Sequence, residues 1–173
     1  MDDAARWDAV EEAVELLREG EHDAAQRALD AVLKDDPYNQ YAWNYSGAVQ
    51  FERGQFAEAA VSYREALRFS PKYLGAAVGL GHSLRLAGRP EEAITAGIIA
   101  LDIARTRAAD ASTSDGDAHW LLALSYAQVS KPDLAIRHAE AFLQSNPELE
   151  AQAEAKALLD SLRGQARPLQ SVN

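Results

Sequence analysis

The sequence predicts an all-α array of stacked helix pairs, and three observations carry that prediction. Gly20, Gly54 and Gly88 stand 34 residues apart, Pro37 and Pro71 keep the same step, and so do Ala25, Ala59 and Ala93. A period of that length marks units that are each one small helical hairpin, too thin to bury an apolar face alone, so that neighbours stack and share a core. Strand signals are absent, since no run of alternating β-branched residues with turn punctuation occurs. The composition is rich in Ala, Leu, Glu and Arg, which favour helix.

Four repeats follow from the period, at about residues 6–37, 40–73, 74–109 and 116–147. Turn chemistry falls where each hairpin must bend, in REGEH, ERGQF, LAGRP and QVSKP. Pro90 and Pro132 sit at first helical positions, where a missing amide hydrogen does no harm. Pro37, Pro71 and Pro147 instead halt the helix before them. Small residues let backbones approach, while Leu33, Tyr63, Leu67, Leu80 and Leu101 fill the layers between them. Residues 148–163 carry one apolar stripe, Ala151, Ala155, Leu158, Leu159 and Leu162, opposite Glu150, Glu154, Asp160 and Arg163, as a helix covering the end of a stack would. The span 1–163 is expected to be one domain, and 164–173, without any period, a flexible tail.

The clearest repeat, Asn39 to Pro71, has Trp43, Gly47, Gly54, Ala59, Tyr63, Ala66 and Pro71 in order, and on these residues it resembles the tetratricopeptide repeat. The first repeat keeps Ala13, Gly20, Ala25, Leu33 and Pro37, with Ala9 where an aromatic is usual. The third keeps Gly81, Leu84, Gly88, Ala93 and Ala100, with Gly97 in place of a bulky ring. The fourth keeps Ala123, Tyr126, Ala135, Phe142 and Pro147, with Ser130 in place of the turn glycine. The resemblance implies a right-handed α-solenoid of four such pairs plus a C-terminal capping helix. Between repeats three and four the period lengthens by eight residues, from Gly88 to Ser130. The helix there is expected to run on by a turn or two, ending near Arg105 and Arg107, before the polar loop ADASTSDGD; a lip on a groove and a tolerated insertion are both open readings of 105–116.

Charge and composition narrow the function. With 27 acidic and 17 basic residues the net charge is −10, and no basic stripe exists to replace counterions on nucleic-acid phosphates. There is no cysteine, which removes disulfides and cysteine-based metal sites. The start MDDAARWDAVEE has neither the basic nor the apolar region of a signal peptide, and no apolar run reaches membrane-span length, so a cytoplasmic protein is expected.

Chemistry-bearing motifs are sparse. His22, His82, His119 and His138 form no HxxxH or HExxH pair. Asp115, Asp117 and His119 can be read as a metal cluster, but capping and dipole effects at a helix start account for the acids equally well. The GLG of Gly79 to Gly81 lacks the strand a phosphate loop needs. No serine or threonine has a recognisable base partner, so no catalytic residue, metal or cofactor is expected and the chain is read as a non-enzyme.

The resemblance implies a concave groove lined by the first helix of each repeat. Carried over by position it consists of Trp7, Val10, Glu11, Val14 and Leu17 in the first repeat and Tyr41, Asn44, Tyr45, Ala48 and Phe51 in the second. The third offers Gly75, Val78, Gly79, His82 and Arg85, and the fourth Asp117, Trp120, Leu121, Leu124 and Ala127. Tyr41, Asn44 and Tyr45 span one turn and could stack on a peptide while the Asn44 amide bonds its backbone; ordinary packing is the alternative. Gly75 and Gly79 each disfavour helix by about 1 kcal/mol relative to alanine, so either a ligand notch or a close neighbour must compensate. His82 borders that notch and could bind a carboxylate. Trp7, Val10, Val14 and Leu17 recur on one face, either exposed for a partner or for self-association, or rolled inward with Glu12 pointing out. Trp120 is expected to fill the space Gly97 leaves.

The lysine, asparagine and arginine clamp with which some family members grip acidic tails is missing: its places hold Val10, Val14, Tyr45, Gly75 and Gly79, or Ala48 when counted from the second repeat. The expected function is an adaptor binding a peptide segment of a protein partner, one that is basic or has apolar anchors. Two alternatives stand beside it, a bacterial secretion-type chaperone shielding a hydrophobic client and a structural protein that self-assembles as a homo-oligomer through the terminal stripe.

Overall fold

The computed structural model describes residues 2–107 and 115–166, and all of the regular structure among them is helical. In chain order the helices are α1 (Asp3–Asp8), α2 (Glu11–Arg18), α3 (His22–Asp35), α4 (Gln40–Glu52), α5 (Phe56–Phe69), α6 (Leu74–Leu86), α7 (Pro90–Arg107), α8 (Gly116–Gln128), α9 (Pro132–Gln144) and α10 (Leu149–Ala166). The 34-residue signposts act as the sequence predicts. Gly20, Gly54 and Gly88 adopt φ of +78°, +72° and +76°, the left-handed conformation that ends a helix and that only glycine enters freely. After two of these turns the next amide reaches back five residues, Glu21 N–H to Leu16 C=O at 2.8 Å and Gln55 N–H to Gln50 C=O at 2.8 Å. Ser130, standing where the fourth glycine would, is driven to φ +56° and makes the same closure through Lys131 N–H to Tyr126 C=O at 2.9 Å.

The described chain divides into two compact units after Gly88, inside the third helix pair of the single domain expected over 1–163. In the N-terminal unit α2 packs on α3, α3 on α4, α4 on α5 and α5 on α6, and α4 also meets α1, α2 and α6. Its first layer is built from Val10, Ala13, Val14, Ala25, Leu29, Ala42 and Val49, all buried. In the C-terminal unit α7 packs on α8, α8 on α9 and α9 on α10. The expected stripe of α10 is seen there, with Ala155, Leu159 and Leu162 buried.

Two expectations are corrected at this level. The first helix is broken into α1 and α2, because Val10 leaves the α-helical ladder, its N–H bonding Trp7 C=O at 3.0 Å, and drops into the core at 0% exposure. Helix α10 passes Gly164 and continues to Ala166, so the tail cannot begin at 164. Helix α7 has 18 residues against 14 in α3 and α5, one turn longer as expected; residues 108–114 of the insertion, like 167–173, lie outside the described residues.

Candidate functional site

The N-terminal unit gathers aromatic residues on one face through a chain of local causes. Asn39 caps α4, its carboxamide oxygen accepting from the amides of Tyr41 and Ala42, both at 3.0 Å. Its amide nitrogen donates to Arg6 C=O at 2.9 Å, which docks the end of α1 on the start of α4. Asp3 completes that junction: one carboxylate oxygen accepts from Gln40 Nε2 at 2.6 Å and the other from the Tyr41 hydroxyl at 2.9 Å. Arg6 turns away to pair with Asp36 at 2.8 Å, and that hydrogen bond holds the Asp36 carboxyl below its usual range.

So positioned, Trp7 meets Tyr41 edge-on with ring centroids 5.3 Å apart and an interplanar angle of 83°, and meets Tyr45 at 6.1 Å and 56°. Tyr41 meets Tyr73 at 5.8 Å and 73°. The edge-to-face geometry suits ring quadrupoles and fixes each ring against its neighbour. Burial, then Asp3, raises the Tyr41 pKa above its ordinary value, and burial followed by the surrounding tyrosines raises that of Tyr73. Gly75 lies beside this cluster: a Cβ there would come within 3.5 Å of the Tyr73 ring and 4.0 Å of Asn44 Oδ1. Tyr41, Asn44, Tyr45, Ala48, Phe51 and Val78 are all half-buried, so each shows part of its surface to solvent. Among the described residues the Asn44 amide makes no hydrogen bond, and its Oδ1 lies 4.0 Å from where a Gly75 Cβ would stand.

The structure separates the remaining sequence-derived candidates. The terminal stripe is not an exposed face: Val10 and Val14 are buried at 0% and 6%, with Glu12 exposed, because the break after α1 rolls them onto Ala25 and Leu29. Leu17 packs against the same cluster, and Trp7 alone, at 37% exposure, stays at the surface. The Gly75/Gly79 notch is half real. A Cβ on Gly79 would lie 2.5 Å from the Tyr63 ring and one on Gly47 would lie 3.0 Å from it, so Tyr63 fills the space at Gly79 and only Gly75 is open. Burial pushes the Tyr63 hydroxyl up to about 12.

His82 is pushed down to about 4, first by burial and then by Arg85, which leaves it neutral at pH 7 and unsuited to holding a carboxylate by charge.

In the C-terminal unit Trp120 does not fill the space at Gly97. Leu122 does, its Cδ2 being 2.8 Å from where a Cβ would stand, while Trp120 stacks on Phe142 at 5.1 Å and 25°. Leu124 is half-buried on the same helix. Asp115 stands at the N-terminus of α8 without capping it through its side chain, and its carboxylate lies 3.4 Å from His119 Nε2. His119 Nδ1 is 2.8 Å from His138 Nδ1, and Tyr126 stacks on His138 at 5.6 Å. Among the described residues no group of three potential metal ligands forms.

Sequence reasoning missed Asp3, Asn39, Tyr73 and the histidine pair. Two of these had a signal. Asn39 precedes a helix as caps do, and His119 and His138 lie on opposite sides of the Ser130 turn, where an antiparallel hairpin brings residues together.

Each unit is thus a stack of helical hairpins with side-chain layers between them, and the class this defines is a helical-repeat protein of the α-solenoid type. Its repeat is similar to the tetratricopeptide repeat, whose family model matches residues 10–74. Among solved structures it is similar to Pseudomonas aeruginosa pilF at 23% identity and a TM-score of 0.78, covering 94% of this chain and 71% of that one. It is similar to a tetratricopeptide repeat protein from Parabacteroides merdae at 20% identity and a TM-score of 0.71, covering 94% of this chain but only 61% of that one, less than two thirds of its length. It is also similar to YrrB, described as a TPR protein with an unusual peptide-binding site, at 20% identity and a TM-score of 0.70, covering 88% and 73% of the two chains. No curated protein sequence matches the chain. No helix among the described residues is long and apolar enough to cross a membrane.

Proposed function

We propose that the chain is an adaptor that holds a peptide segment of a partner protein against the face formed by Trp7, Tyr41, Asn44, Tyr45, Tyr73 and Gly75. The observation that carries this reading is the Asn44 amide, half-buried beside Gly75 with its donors and acceptor uncommitted. A carboxamide offers a donor and an acceptor side by side, the pair that a peptide unit presents in return. The rings of this face are held by Asp3 and by one another, so little side-chain freedom is lost on binding. Gly75, open where a side chain would stand, gives a peptide backbone room to approach. Ala48, Phe51 and Val78 extend the surface with apolar area. The peptide-binding site named for YrrB agrees with this reading. A cytoplasmic setting and binding without catalysis belong to the same proposal. Assembly through the terminal stripe loses its basis, because Val10 and Val14 are buried.

The test is a pull-down from the native host's lysate with the wild type and a Tyr41→Ala, Asn44→Ala, Tyr45→Ala variant shown by circular dichroism to remain helical. The reading expects a protein captured by the wild type and lost by the variant. Equal capture by both would place the binding surface elsewhere.

A further inference from the structure

Trp7 packs on Tyr41 and Tyr45 yet keeps part of its indole at the surface. Its neighbours Val10 and Val14 fill the core, yet the indole remains 37% exposed, with its orientation set by Tyr41 and Tyr45. The charges about it are one-sided. Asp3 stands four residues before it, with both carboxylate oxygens bonded into the aromatic junction, and Glu11 stands four residues after it, exposed in the first turn of α2. Asp2, Asp8 and Glu12 add to the same segment. The cations of the region are already taken: Arg6 is paired with Asp36 at 2.8 Å, and Arg18, whose field reaches Tyr45, is paired with Glu15 at 2.9 Å.

We infer that the exposed part of the Trp7 indole, in an acidic segment where Asp3 and Glu11 flank it in sequence, seats an arginine or lysine side chain of the bound peptide. The inference deepens the peptide-binding reading and rests on it. The physical basis is twofold. A guanidinium or ammonium over an indole face is attracted by the ring quadrupole, most strongly for tryptophan. Carboxylates at the rim add Coulomb attraction and draw a cationic peptide toward a chain of net charge −10. Burial first and then Asp3 raise the Tyr41 pKa above its ordinary value, so the tyrosine next to the seat brings no competing anion. A carboxylate ligand would meet Asp3 and Glu11 with like charge and with no cation free to receive it.

The test uses the indole N–H resonances of Trp7, Trp43 and Trp120 in the 15N-labelled protein, titrated with N-acetyl-arginine amide and with its neutral isostere N-acetyl-citrulline amide. Arginine is expected to move Trp7 selectively, with citrulline weaker by roughly twofold to fivefold, the ratio an exposed cation–π contact supports. Glu11→Gln leaves the Asp3 junction intact and is expected to weaken arginine binding, whereas Glu150→Gln, with the same change in charge, is expected not to. Equal shifts with citrulline, equal movement of all three indoles, or no movement of Trp7 would each overturn the inference. If Trp7 ignores arginine while the triple variant still loses its partner, the cationic seat falls and the peptide groove stands. Should capture prove indifferent to the triple variant, the groove itself falls.

Discussion

The two units solve the same problem, filling the space beside a glycine in a helix, with different side chains, and the choice decides what each has left for binding. In the N-terminal unit the ring of Tyr63 lies across Gly47 and Gly79, and a further set of rings, Trp7, Tyr41, Tyr45 and Tyr73, stands beside it with surface still showing. In the C-terminal unit aliphatic Leu122 covers Gly97, Trp120 is consumed by its stack on Phe142, and the polar residues His119 and His138 bond each other. Positions equivalent in the repeat therefore do not have equivalent surfaces. The N-terminal unit keeps uncommitted groups at its face, and the described C-terminal unit spends its aromatic and imidazole groups internally.

The comparison is broken most severely by removing the filler. Tyr63→Ala and Leu122→Ala are each expected to lower stability by about 3 kcal/mol or more, in line with large-to-small core substitutions, read from urea unfolding. If Tyr63→Ala were nearly neutral, the ring would not be what the glycines accommodate. Next in size is Gly79→Ala, where a Cβ 2.5 Å from the ring forces Tyr63 to move and is expected to destabilise by about 1 to 3 kcal/mol despite the better helix propensity of alanine. In the Tyr63→Ala background the same change should become stabilising, and a double-mutant cycle without that reversal of sign would contradict the packing.

The C-terminal unit is expected to respond to pH through its histidine pair. Burial first, then the neighbouring His119, Arg137 and Arg105, pushes His138 from 6.5 down to about 4, and burial lowers His119 although Asp115 opposes it. Two imidazoles whose Nδ1 atoms lie 2.8 Å apart share one proton, with Tyr126 stacked on one of them. At pH 7 the neutral pair contributes fully. As pH falls below 6.5 the unfolded chain takes up protons that the folded pair resists, so stability declines toward pH 4. His138→Asn should flatten that decline in urea melts at pH 7.5, 6 and 5, and an unchanged slope would count against the pair. The smallest effect is at the fourth turn: Ser130→Gly relieves a φ of +56° and is expected to stabilise by about 0.5 to 1 kcal/mol, while Gly54→Ala at the equivalent turn should destabilise by a similar amount.

The architecture was legible because it depends on local rules that recur. Glycines at positive φ, prolines at helix starts and alanines at close approaches can be counted along the chain, and the 34-residue period survives even where Ser130 replaces a glycine. The candidate site was legible only in part. Tyr41, Asn44 and Tyr45 were reached by position within the repeat, but Asp3 and Tyr73 lie outside the first helices of the intact repeats, and their roles arise from how α1 docks on α4. The roll of the first helix was not legible, since Trp7, Val10, Val14 and Leu17 satisfy one periodicity whether they face out or in. What resolved it was the break at Val10, a tertiary effect in which core burial outweighs one turn of helical hydrogen bonding. Gly97 shows the same limit: the vacancy was visible in the sequence, whereas the choice of Leu122 over Trp120 to fill it depends on which face of α8 meets α7.

The central claim, that the uncommitted Asn44 amide marks a peptide-binding face, is tested most directly by selecting peptides from a random displayed library on the wild-type protein. The affinity of the best binder for wild type and for Asn44→Ala would then be compared by calorimetry. The account predicts about a tenfold loss, corresponding to roughly 1.4 kcal/mol for a hydrogen-bonded pair at the peptide backbone, with helicity unchanged. Equal affinity for the two proteins would contradict it.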